Sequence, residues 1–441
     1  METQIPQLPT AEKKIQLFLQ QKAMLSQFLC NGAITPAQYA KSLGDLTEKM
    51  GMQGISDPAS PQGGSMAQKI RLTPITKHLP ISSVERFGTV MAQEAAAFHR
   101  TLRDYTPTPM HTLNALADDL GLRALYIKDE SPRFGLNAFK GLGGSFAMHK
   151  LAEGSTQKLT FVTATDGNHG RGVAWAAQRL GHEAYVYLPH GTSEARLQNI
   201  LALGAYAEIL DLSYDDTVRY AASMAQQRNW VLIQDTAWPG YKEIPALIMQ
   251  GYTTMGLEIV SQLGDSVPTH ILLQAGVGAM AGAMTAFFAD YYGADCPKII
   301  IVEPAGADCI FRTAAADDGR LHFCGADIHT IMAGLCCGEP CTLGWEILRS
   351  HADFSLACDD RIAELGMKTL AFPLSGDPAV ISGESGAVTL GAVTELMQNP
   401  DCSVLRAALG LDDFSAVLCI STEGDTDPVN YRRIVFNESS E

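Results

Sequence analysis

The sequence predicts an α/β fold: an open, mostly parallel sheet covered by helices on both faces, preceded by an N-terminal helical hairpin. Short β-branched or aliphatic runs alternate with helical stretches from about residue 70 onward, the pattern of parallel strands joined by crossover helices. Glycine-rich turns follow several of these runs and lead into helix starts, which is where such folds bind ligands. With 46% apolar residues over 441 positions, the chain can bury a large core and form two or three domains.

In chain order, residues 13–31 read as a helix with apolar positions at Ile15, Phe18, Leu19, Met24, Phe28 and Leu29, stopped by Gly32. Thr35-Pro36-Ala37-Gln38 opens a second helix, with Thr35 as N-cap, Pro36 in the first turn and Gln38 closing a capping box. So short a hairpin has little core of its own; it is expected to dock on the main body, on a second subunit or on another protein. A linker rich in Gly, Ser, Pro and Met follows over 51–68. Strands are expected at 124–128, 160–163, 183–188, 207–210, 230–233, 270–274, 298–302 and 415–420, with helices between most of them, such as 172–180 and 194–203. No internal repeat or heptad pattern interrupts this order.

A net charge of −16 argues against nucleic acid or an anionic membrane as the main partner. Residues 1–11 are polar and contain two prolines, unlike a secretory signal, and the weakly polar stretch 275–289 is too short to span a bilayer. A cytoplasmic protein acting on a small molecule is therefore expected. Ten cysteines in so long a chain do not make a secreted disulfide scaffold. Cys336, Cys337 and Cys341 cluster, with Cys309 and Cys324 upstream. Adjacent cysteines diverge, so no metal is expected there; buried thiols and a single disulfide or redox pair both stay open.

Three motifs carry candidate chemistry. Asn137-Ala138-Phe139-Lys140-Gly141-Leu142-Gly143-Gly144 sets a lysine after an aromatic residue and before three glycines. Glycine lets the backbone approach a bulky planar ligand, and a reactive lysine amine must be desolvated or near another cation. A solvated loop lysine is the alternative. Thr163-Ala164-Thr165-Asp166-Gly167-Asn168-His169-Gly170 lies between a strand and a helix, so hydroxyls, amides and a helix N-terminus converge on a site suited to a carboxylate. Asp166 would repel that carboxylate; it suits a general base or a partner for a substrate ammonium, and otherwise a helix cap. Gln274-Ala275-Gly276-Val277-Gly278-Ala279-Met280-Ala281-Gly282 again follows a strand. Its spacing imitates a dinucleotide fingerprint, but the only acid near the right distance, Glu303, precedes Pro304. A phosphate-binding nest of backbone N–H groups is the broader inference. Two further strand ends carry acids, Gln234-Asp235-Thr236-Ala237-Trp238 and Ser421-Thr422-Glu423-Gly424-Asp425-Thr426-Asp427, and Ser382-Gly383-Glu384-Ser385-Gly386 is a tight turn into a helix. An acid in such a place either caps the next helix or reacts.

Occurring together and in this order, the motifs resemble the fold-type-II pyridoxal-phosphate family, the tryptophan synthase β-like enzymes, over roughly residues 85–435. Within it the chain is similar to the ammonia-lyases that act on 2,3-diaminopropionate. The resemblance implies two open, mostly parallel sheets covered by helices. It divides the chain into a large cofactor domain of residues 69–141 and 235–435, a small domain of 142–234, and an extension and linker over 1–60 outside the catalytic unit. It implies Lys140 as the lysine that holds pyridoxal 5'-phosphate, Asn168 at the cofactor's 3-hydroxyl, and Gly276, Val277, Gly278, Ala279 and Met280 as the phosphate loop. Ser421 or Thr422 would face the pyridine nitrogen, and Thr165, Gly167 and His169 the substrate carboxylate. Asp166 would deprotonate Cα of the D-isomer and Lys140 that of the L-isomer, with Asp235 as a second active-site acid. Cys309 and Cys337 match a pair that forms a disulfide in relatives, and a homodimer is expected.

The implied reaction is α,β-elimination of 2,3-diaminopropionate with water to pyruvate and two ammonia. Serine or threonine ammonia-lyase and β-replacement activity are the alternatives on the same cofactor, and a non-catalytic binding protein is the third. Related serine and threonine ammonia-lyases carry a small residue where this chain has Asp166, which moves the expectation toward a substrate with a second amine.

Overall fold

The computed structural model describes residues 69–78, 81–154, 156–165, 167–325 and 328–437, with scattered positions between 41 and 49. The expected hairpin and linker lie outside the described residues. The described chain builds two sheets. The larger has seven strands in the order β1-β10-β9-β8-β11-β3-β2, and the smaller has four in the order β6-β5-β4-β7. Their bounds are β1 Ile70–Pro74, β2 Met110–Thr112, β3 Ala124–Asp129, β4 Thr160–Ala164, β5 Glu183–Leu188, β6 Tyr206–Ile209, β7 Val231–Leu232, β8 His270–Gln274, β9 Lys298–Pro304, β10 Phe354–Cys358 and β11 Ala416–Ser421. The inner five strands of the large sheet run parallel, while β1 and β2 close its two edges antiparallel. The small sheet is parallel throughout.

Both faces of the inner strands are covered, which is why they read as unbroken apolar runs rather than alternating ones. Every residue of β8 and of β11 is buried. Ile271, Leu273, Leu418 and Ile420 enter one core, which also takes Phe161, Val186 and Leu188 of the small sheet. Leu272, Val417 and Cys419 point into a second core on the opposite face. The first core is therefore continuous between the two sheets. At full burial each Leu or Ile side chain contributes about 1.5–3 kcal/mol.

Eight of these strands fall where the sequence predicts them, within about two residues at each end. Three were not anticipated. β2 is only three residues long, β1 ends on a proline, and β10 is a five-residue run directly before a helix cap. Each is recruited by the strand beside it, so no local signal marks it. The chain leaves the large sheet after β3, builds the small sheet with β4 to β7, and returns for β8. That route brings the carboxyl ends of β4, β7, β8 and β11 around one cleft.

Candidate active site

The cleft encloses about 690 Å³, part of it open to solvent, a size suited to a cofactor. Lys140 stands at its base, immediately before the helix Gly141–Ala152. The segment leading to it is stitched to the loop after β11. Phe139 N–H donates to Thr422 O at 3.2 Å, Gly424 N–H donates to Asn137 O at 3.0 Å, and Asn137 Nδ2 donates to Asp425 Oδ1 at 2.9 Å. Behind it, a charge cluster ties residues 128–133 to the helix Glu243–Leu263. Arg133 makes a two-pronged contact with Glu258 at 2.8 and 2.7 Å, and Lys128 Nζ reaches Glu258 Oε2 at 2.7 Å, all with side chains at most 5% exposed. From the other side the helix Asn168–Leu180 presses on the lysine's own backbone. A Cβ on Gly172 would lie 2.9 Å from the Lys140 carbonyl carbon, so only glycine allows this approach.

Lys140 Nζ donates to Asp235 Oδ2 at 2.5 Å. Asp235 follows β7 in a side-chain environment only 7% exposed. Burial alone would favour the neutral acid; His169 and Lys140 beside it outweigh that and hold the carboxyl down at about 2. Asp235 is therefore held as the carboxylate beside Lys140. The His169 ring is buried, which disfavours its charged form, and its Nε2–H donates to Ile233 O at 2.8 Å. Nδ1 then keeps a lone pair, 3.7 Å from Asp235, and has no proton to offer a carboxylate. Whatever His169 gives an anion comes from its first-turn amide.

Residues 276–280 all line the cleft. They turn from β8 into the helix Ala279–Tyr292 through Gly278 at φ 89°, a conformation that favours glycine. Helix-start amides that no helical carbonyl can reach thus face the cleft, a cradle for phosphate. A Cβ on Gly276 would sit 3.1 Å from Leu335 Cα, so this loop is also closely packed from behind. Opposite, Gln274 Nε2 donates to Thr422 Oγ1 at 3.0 Å, leaving the threonine proton to point elsewhere. Thr422 lines the cleft; Ser421 does not, because it is buried with Oγ bound to Ser382 Oγ at 2.7 Å.

Asn168 lines the cleft and its Nδ2 donates to Glu423 Oε2. Glu423 Oε1 in turn accepts from Ser385 N–H at 3.1 Å. This link between the two sheets was not anticipated, although Glu423 and Ser385 stand in motifs the sequence had marked. Thr165 is buried at the cleft wall, its Oγ1 accepting from the amides of Gly167 at 2.9 Å and Gly170 at 3.1 Å. Gly167 is not part of the lining, and Asp166 lies outside the described residues. The disulfide implied between Cys309 and Cys337 is not formed in this structure: both are thiols, with Cys309 Sγ 3.6 Å from Gly276 O and Cys337 at the cleft wall. Burial pushes the Cys309 thiol well up, which keeps it protonated.

The family description "Pyridoxal-phosphate dependent enzyme" matches residues 101–403. The chain is 48% identical over 375 residues to diaminopropionate ammonia-lyase of Salmonella typhimurium, covering 79% of this chain and 93% of that protein. Among solved structures it is similar to diaminopropionate ammonia-lyase from Escherichia coli in complex with an aminoacrylate-PLP azomethine reaction intermediate. That match has a TM-score of 0.79 and 46% identity, covering 84% of this chain and 98% of the other. The same enzyme in complex with D-serine matches with a TM-score of 0.79 at 45% identity, covering 84% and 97%. The serine- and threonine-type enzymes are more distant, as with threonine deaminase isoform 2 of Solanum lycopersicum at 19% identity. The lysine–aspartate pair, the glycine cradle and these likenesses agree, and the chain belongs to the pyridoxal-phosphate dependent enzymes and, among them, to the diaminopropionate ammonia-lyase family.

Proposed function

We propose that this protein converts 2,3-diaminopropionate and water to pyruvate and two ammonia. The observation that carries the reading is the part-buried 2.5 Å pair of Lys140 and Asp235 facing the glycine cradle of residues 276–280. The residues present fit pyridoxal phosphate. Lys140 offers the amine, the amides at 276–280 the phosphate site, and Asn168 a side-chain amide for the 3-hydroxyl. Thr422 offers a hydroxyl proton for the pyridine nitrogen, in preference to the buried Ser421. When bound, this cofactor supplies an electron sink for the charge left at Cα.

The chain's own groups then divide the work. Thr165 and the first-turn amides of the helix Asn168–Leu180 bind the substrate carboxylate. Asp235 orients Lys140 Nζ, which takes the Cα proton on one face. Asp166 serves the opposite face, and as a carboxylate it also suits the substrate's second ammonium. Glu423 fixes the Asn168 amide, so the small-sheet wall of the cleft stays aligned with the large-sheet wall. The likeness to an enzyme solved with D-serine supports acceptance of D-configured substrates. A homodimer in the cytoplasm completes the proposal, and light scattering of the purified protein tests the assembly.

Asp166→Ala, assayed with separate L- and D-diaminopropionate, tests the division of labour. The variant is expected to lose turnover of the D-isomer and keep that of the L-isomer. Equal loss of both would remove Asp166 from the role of a one-face base.

A further inference from the structure

Next to the catalytic cleft lies a second, polar pocket of about 670 Å³, open to solvent and bounded by Ser131, Asn137, Arg171, Asn199, Asp425 and Thr426. We propose that it is a binding site for a small carboxylate monoanion.

Arg171 stands on the helix Asn168–Leu180, one turn beyond Asn168. Burial is the sole influence on its guanidinium and lowers its pKa, yet an arginine keeps its proton in a protein. No carboxylate among the described residues pairs with it, and its Nε is buried without a hydrogen-bond partner. A half-buried cation lacking a counter-charge is costly, and this chain carries 48 acidic residues against 32 basic ones, so a partner carboxylate was not scarce. The second observation is independent. Thr426 is only 5% exposed and its Oγ1 also has no partner, although it lines the same pocket. A guanidinium and an unpaired hydroxyl converging on one space, with Ser131, Asn137 and Asn199 around them, make a donor-rich recess.

Charge selects the ligand. The one carboxylate bounding the pocket, Asp425, accepts from Asn137 Nδ2 at 2.9 Å rather than pairing with Arg171. A monoanion gains the planar guanidinium fork and the neutral donors, whereas a dianion would meet Asp425 with excess negative charge. The site is separate from the catalytic one. Asn137 and Asp425 border this pocket and not the cleft, which their near neighbours Phe139, Lys140, Thr422 and Glu423 line. A bound carboxylate would clamp together the loop before Lys140, the helix that carries Asn168 and the loop after Glu423.

The test counts labelled acetate bound per chain of holoenzyme by equilibrium dialysis at fixed ionic strength. Acetate competing with substrate reports on the catalytic cleft separately, through inhibition of turnover. Arg171→Gln is expected to lose one equivalent of bound acetate while acetate inhibits turnover as in wild type. Thr426→Val, a milder change should the arginine variant fold poorly, is expected to weaken that equivalent several-fold. Unchanged stoichiometry and affinity in the variants that fold would overturn the proposal. So would inorganic phosphate displacing this equivalent more tightly than acetate does.

Discussion

Asp235→Asn probes the pair at the centre of the site. Two unit charges 2.5 Å apart interact by about 6–7 kcal/mol at an effective dielectric constant of about 20. That figure is an upper bound, because the Lys140 side chain is 20% exposed and asparagine keeps an oxygen for the ammonium to bind. A net loss of about 2–4 kcal/mol is reasonable after this screening. If it falls on the step in which Lys140 moves a proton, kcat/KM drops by about 30- to 1,000-fold. The assay is pyruvate release from L-diaminopropionate, with the absorbance of bound cofactor measured in parallel to show that the site still loads. The expected outcome is a loaded but slow enzyme. A loaded variant within about threefold of wild type would refute the assignment of Asp235 as the orienting group.

Two other perturbations follow from the same structure. Glu384 is buried, and that burial, reinforced by Glu423, raises its carboxyl to about 7. Because the folded pKa lies above the ordinary glutamate value of 4.5, the folded state holds a proton that the unfolded chain releases between about pH 4.5 and 7. Stability therefore falls across that window as pH rises, by about 3 kcal/mol in the limit; Glu384→Gln should flatten the slope and raise Tm at pH 8, and a variant with the wild-type slope would contradict the reading. Gly172→Ala places a methyl 2.9 Å from the Lys140 carbonyl carbon. It is expected to lower kcat by at least tenfold by moving the lysine, which crystallography or a change in the cofactor absorbance would detect, and full activity would show that the backbone yields without cost.

What the sequence disclosed depended on how local each signal was. Glycines marked Lys140 and the 276–280 loop, yet local sequence alone left the lysine nearer a solvated loop residue until the other motifs joined it; the structure places both on one cleft. Asp235 was one acid at a strand end among several. The family resemblance singled it out, and the fold, by returning β7 beside Lys140, adds the contact that no local pattern shows. The proposal of Thr422 over Ser421 rests on a contact that the sequence does not show, since Ser421 turns toward Ser382. Asn168 and Glu423 are 255 positions apart, a separation at which no pattern in one sequence announces a contact. The antiparallel edges of the large sheet escaped notice for the same reason: β1 and β2 are short and are defined by the neighbours they pair with.

Product stoichiometry tests the proposed reaction most directly. Purified holoenzyme supplied with 2,3-diaminopropionate should release two ammonia for each pyruvate, with no turnover in Lys140→Ala. No turnover of diaminopropionate, with one ammonia per pyruvate from serine or threonine instead, would contradict it.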